Sequence, residues 1–191
     1  MSIASLQLHL PSTGEHFEFL ESAYSDAGRF RFRWTLEAGF QGPPPHCHPH
    51  ETEVFHVVEG TLRVWLDGEA RDYSAGETAI AEPGVVHRFD NSGPEDVVVE
   101  VEMDGPLQEN VLIALTRKMD GRQTPTLGEG LRGFVLQIRT GAMSTGWRFI
   151  DRPVALLGGV LESAGWIGLE RVEGWDQPAS EPQRQRSATM P

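Results

Sequence analysis

Apolar and polar residues alternate through most of the first hundred positions. Phe30, Phe32 and Trp34 interleave with Arg29, Arg31 and Arg33. A period of two predicts a strand with one buried face. The preceding stretch 16–36 also carries HFEFL, with apolar positions in the same rhythm. Glu53–Val58 is β-branched and aromatic and stops at Gly60. Thr61–Leu66 alternates again and runs into Asp67-Gly68, a strong two-residue hairpin signal. Glu77–Ala81, His87–Phe89 and Val97–Glu102 read as further short strands, punctuated by Gly76, Pro83-Gly84 and Gly93-Pro94. Short strands with closely spaced turns predict an all-β sandwich or barrel.

The period changes after Asp104. Pro106 suits the first position of a helix, and Leu107, Val111, Leu115 and Met119 then recur at intervals of four. Leu131–Ile138 and Val154–Ile167 are two further helix candidates. The chain therefore divides into a β-barrel with its N-terminal strands over 1–104, a helical appendage over 105–170, and a polar, flexible tail over 171–191. The appendage is expected to cap the barrel mouth or to mediate dimerisation. Alternating aromatics at Phe30, Phe32 and Trp34 offer an outer sheet face for pairing, and a homodimer is expected.

Composition narrows the partners. The 191 residues fit one domain with an appendage, and 21 glycines and 13 prolines suit many tight turns. A formal net charge of -12 repels phosphate backbones and anionic lipid, so no nucleic acid and no membrane surface is expected as a partner. Cys47 is the single cysteine, so no disulfide forms within the chain. Met1–Pro11 lacks a basic segment followed by an apolar one, and Val154–Leu169 is too short for a bilayer and contains Glu162. A cytoplasmic location is the expectation. Lys118, the only lysine, has no neighbour that marks it for imine chemistry.

The chemistry concentrates in Pro45–His56, which holds four of the seven histidines. On an extended chain His46 and His48 point to the same side and Cys47 to the other. Glu53 opens the next strand on the face of Phe55 and Val57. Pro83-Gly84 then sets His87 at the start of a later strand. Three imidazoles and one carboxylate are a metal-ligand set of mixed N and O character.

These segments resemble the two motifs of the cupin superfamily. The first is carried by His46, His48, Glu53 and Gly60, the second by Gly76, Gly84, His87 and Asn91. The chain departs from the pattern at Phe40 and Glu82, where the family usually has glycine and proline. The resemblance spans about residues 30–103. It implies an antiparallel jelly-roll barrel binding one divalent transition metal, Fe, Mn, Ni, Co, Cu or Zn, on His46, His48, Glu53 and His87. Three neutral imidazoles and a carboxylate leave such an ion near +1, with two octahedral positions for water, dioxygen, an enolate or a hydroxy acid. Relatives include dioxygenases, decarboxylases, sugar isomerases and binding proteins. The function expected is a mononuclear metal dioxygenase or related lyase acting on a small organic molecule, with Glu53 as catalytic base. The alternative is a non-catalytic small-molecule binding or sensor protein. Phe55, Val57, Leu62, Val64 and Phe89 are expected to line a dry interior. Glu51 is expected to be solvated, or else to orient His48. His50 and His56 fall off the ligand positions, and Asn91 is expected to hold a turn.

Overall fold

A computed structural model describes residues 7–10, 14–119, 134–135 and 137–163. Among the described residues, nine strands form two antiparallel sheets that face each other as a jelly-roll barrel. They are β1 (Gln7–Leu10), β2 (Glu15–Glu21), β3 (Phe30–Leu36), β4 (Glu53–Glu59), β5 (Thr61–Leu66), β6 (Glu69–Ser74), β7 (Thr78–Ala81), β8 (His87–Asp90) and β9 (Val97–Met103). One sheet has the order β1-β2-β3-β9-β4-β7 and the other β6-β5-β8. Helices α1 (Leu107–Met119) and α2 (Arg148–Ser163) follow. Between them residues 134–135 and 137–140 are helical. The second helix candidate is thus met in part; its first residues lie outside the described ones, as do 164–167 of the third and the whole tail.

The alternation decides which face is buried. In β3 and β9 every second residue is buried and its neighbours are half-exposed. Phe30, Phe32 and Trp34 are 0%, 2% and 8% exposed and belong to the main core with Phe17, Phe55 and Phe89. Their rings meet in a chain of contacts, Phe17 to Trp34 at 4.7 Å and Trp34 to Phe89 at 5.0 Å between centroids. Each fully buried phenylalanine contributes roughly 1.5–3 kcal/mol. The aromatic face expected on the outside is therefore the inner face, and the homodimer surface drawn on it does not exist. Outside stand the arginines. Arg31 and Arg33 share Glu100 at 2.9 and 2.8 Å, and Arg29 pairs with Glu102 at 2.7 Å.

Turns aim the segments that carry His46, His48 and His87. Asp67-Gly68 joins β5 to β6. Asp67 donates its N–H to Val86 O at 2.8 Å, and its carboxylate accepts from Val86 N at 3.2 Å. The hairpin tip thus holds the residue before His87. Between Gly39 and Pro45 the chain crosses β8 so closely that a Cβ on Gly42 would lie 1.6 Å from the Phe89 carbonyl oxygen. The two departures from the expected motif leave the loops intact. Gly39, with φ +83°, makes the turn one position early, and Phe40 packs against the core. Val85 N donates to Glu82 O at 3.0 Å, closing the turn around Pro83-Gly84.

Helix α1 is tied to the barrel by a buried carboxylate. Glu109 accepts from Ser22 Oγ at 2.6 Å and from Ala23 N at 2.7 Å. Burial pushes its pKa up, and these two bonds only partly oppose it. An acid with a raised folded pKa contributes stability in acid, and that contribution is lost as pH climbs from the unfolded value of 4.5 through the folded one. Glu109→Gln keeps the shape and removes this loss. In urea unfolding of metal-free protein, the stability of wild type relative to Glu109→Gln should fall between pH 4.5 and neutrality. A rise over that interval would refute the assignment.

Candidate metal centre

His46, His48, Glu53 and His87 meet inside the barrel, all buried, each offering a ligand atom within 4.8 Å of the others. Backbone pairing brings them there. His46 and His87 exchange both main-chain bonds, N to O at 2.9 and 2.7 Å. The His48 carbonyl accepts from Gly84 N at 2.9 Å, which ties the first ligand segment to the turn before His87. Glu53 opens β4, paired with Ala81 on one side and Met103 on the other. A side chain on a strand held at both edges has little freedom to move.

The imidazoles are oriented for ligation. His46 donates Nδ1–H to Pro44 O at 2.9 Å and His87 to Val85 O at 3.0 Å. His48 donates Nδ1–H to Ala142 O at 2.5 Å. Each Nδ1 is taken by a carbonyl, which leaves Nε2 as the ligand atom, the usual outer-shell arrangement of metal-binding histidine. Nε2 of His48 and of His87 lie 3.1 and 2.9 Å from Glu53 Oε2. Burial first, and the neighbouring His87 second, lower the His46 pKa to about 4, so its ring is neutral at pH 7. Burial opposes the charge on Glu53, but His48 and His87 outweigh it and hold the carboxyl well below the usual range. Burial likewise opposes protonation of His48, and the Glu53 carboxylate outweighs it, raising the pKa. An ionised carboxylate ringed by imidazole nitrogens, with every far nitrogen bonded, fits a divalent transition ion.

The other expected residues fall out as follows. Phe55, Val57, Leu62, Val64 and Phe89 are all buried core residues. His56 is exposed and meets Thr78 Oγ1 at 3.1 Å; His50 is exposed. Asn91 holds its turn, donating through Nδ2 to Leu36 O, Glu37 O and Glu95 O. Cys47 is buried, and its backbone is bridged to Ser144. Glu51 corrects the expectation: it is not solvated but 3% exposed, and it does not bond His48. Its carboxylate accepts from Leu107 N at 2.7 Å and Gln108 N at 3.2 Å, the free donors of the first turn of α1. Ala142 was outside any sequence motif, because a backbone carbonyl has no side-chain signature.

Residues 32–103 match the family model described as "Cupin domain". Germin-like protein 1-1 of Oryza sativa subsp. japonica is 35% identical over 78 residues, 38% of this chain and 36% of that protein. The chain thus matches about a third of that relative's length. A probable oxidoreductase of Aspergillus clavatus, patJ, is 42% identical over 50 residues, 26% of this chain and 16% of that protein. Among solved structures, the Cnp3 cupin domain of Schizosaccharomyces pombe superposes with a TM-score of 0.46 at 16% identity, covering 66% of this chain and 81% of that one.

Proposed function

This chain belongs to the cupin superfamily, and on that footing we propose a mononuclear metal enzyme that acts on a small organic molecule, a dioxygenase or related lyase. One observation carries the reading: three buried imidazoles present Nε2, with Nδ1 already bonded, to one ionised carboxylate inside an apolar barrel. His46, His48, Glu53 and His87 would hold the ion. A divalent transition metal bound there supplies Lewis acidity and, where it is redox-active, a route for electrons between substrate and dioxygen. The residues do the rest. Glu53 offsets charge and serves as the base that takes a substrate proton. Phe55, Val57 and Phe89 keep the space around it dry, which strengthens every electrostatic contact within it. The probable-oxidoreductase name carried by the Aspergillus relative supports an oxidative reaction over a purely binding role.

Protein purified without a metal-binding tag is expected to carry about one transition-metal ion per chain by elemental analysis. Iron-loaded protein should be stabilised in a thermal-shift screen by small enolisable or hydroxylated acids, and a stabilising compound should be consumed with uptake of dioxygen or loss of carbon dioxide. Protein that takes up none of Fe(II), Mn(II), Co(II), Ni(II), Cu(II) or Zn(II) would sink the proposal. Metal uptake with tight ligand binding and no consumption would establish the non-catalytic alternative.

A further inference from the structure

The three imidazoles are not oriented in the same way. His46 and His87 each use a carbonyl two residues back on their own segment. His48 uses Ala142, 94 residues away and beyond the family match, which ends at 103. We propose that residues 141–145 are a built part of the metal centre, a strap from outside the barrel that fixes the ring of His48, and that Asp151, which locks the strap, is a positioning residue for metal affinity. This rests on the metal reading above.

Three sets of contacts hold the strap in place. Cys47 and Ser144 exchange both backbone bonds at 2.8 Å, so the strap pairs with the residue between His46 and His48. Asp151, in the first turn of α2, accepts from Ser144 Oγ, from Thr145 N at 3.1 Å and from Thr145 Oγ1 at 2.7 Å. Ala142 is 1% exposed and packs with Val111 in a small apolar cluster that Leu107 and Ala114 complete. Helix α1, which carries Val111, is fastened by Glu51 to the loop between His48 and Glu53. Both halves of the ligand segment are therefore gripped by residues that follow β9.

The physical consequence lies in the tautomer. A ring whose Nδ1–H is held by a fixed carbonyl must present Nε2 as a lone pair. If the strap loosens, His48 loses that constraint and is free to turn, while its backbone stays pinned by Gly84. Removing such an outer partner typically costs 10- to 100-fold in metal affinity.

The test uses the full chain stripped of metal, with Co(II) as the probe, titrated against a competing chelator and followed by its visible spectrum. Asp151→Ala should stay folded by circular dichroism, bind Co(II) about 10- to 100-fold more weakly, and show a shifted visible spectrum. Asp151→Asn, which keeps one acceptor, should recover part of both. Arg152→Ala, an exposed neighbour on the same helix, should match wild type. Wild-type affinity and spectrum in Asp151→Ala would overturn the proposal. So would weaker binding with an unchanged spectrum and no recovery in Asp151→Asn, since that marks general loosening. Should Asp151→Ala not fold, Ser144→Ala removes one of the three bonds to Asp151 and must weaken Co(II) binding several-fold, or the inference fails. Wild type that binds no Co(II) would overturn the metal reading as well. Equal binding by wild type and variant overturns the strap alone.

Discussion

His87→Ala and His48→Ala are each expected to abolish stoichiometric metal retention while leaving the barrel folded. Of the free energy with which proteins bind a transition ion, about 10–16 kcal/mol in well-formed zinc sites, one of four ligands accounts for about 3–4 kcal/mol. That corresponds to a loss on the order of 100- to 1,000-fold in affinity. The fold should survive because the position of β8 does not depend on the imidazole. Its backbone pairs with β5 from Leu66 to Arg63, and residue 87 keeps both bonds to His46 whatever its side chain. The metal-free variants are expected to unfold about 1–3 kcal/mol more easily, since Glu53 loses one of its two imidazole partners while remaining buried. The measurement is elemental analysis beside thermal unfolding with and without added metal. Wild type should gain markedly on metal addition, and the two variants should gain little. Full metal content in both folded variants would remove these residues from the site.

The reach of the sequence follows from what alternation encodes. It marks β3 as a strand with one buried face, and so Phe30, Phe32 and Trp34 stand out. It does not say whether that face meets a core or a second subunit. The arginines between them settle the matter only in three dimensions, where Glu18, Glu100 and Glu102 lie beside them on the same outer face. Strand β6 leaves no such mark, because Tyr73 is its single buried residue. Helix α2 starts at Arg148, six residues before the expected Val154, since Pro153 interrupts the helical pattern without ending the helix.

The cluster of His46, His48, Glu53 and His87 was legible for a different reason. Its members are side chains, and their spacing converts directly into direction on a strand. The supports of the site are mostly main-chain groups. Pro44 O, Val85 O and Ala142 O have no residue type to betray them, and Ala142 is separated from its partner by most of the barrel sequence. Glu51 shows the same gap from the other side. Its place beside two histidines invites a role in the site, but the donors that claim it belong to the first turn of α1. A helix start that is otherwise short of acceptors draws the carboxylate away from His48.

Glu53→Gln is expected to separate catalysis from binding. The amide has the volume of the carboxylate and can keep one oxygen toward the ion, but it carries no charge and no basicity. Oε2 now lies within 3.1 Å of two imidazole nitrogens, so half of the possible amide orientations would point NH2 at His48 and His87. Metal affinity should therefore drop, by about 10-fold, through lost charge neutralisation. In an enzyme the larger loss is in turnover, since the base and its charge act on the transition state rather than the bound substrate. Removal of a general base costs about 100- to 10,000-fold, and it should show in kcat with little change in KM once the variant is saturated with metal. In a binding protein the same change would shift ligand affinity modestly, with no turnover in either form. The experiment compares metal-saturated wild type and variant on whichever compound the thermal-shift screen yields, under excess metal so that occupancy is equal. Turnover by Glu53→Gln at the wild-type rate would reduce Glu53 to a structural ligand, and the proton would then have to leave the substrate by way of another group.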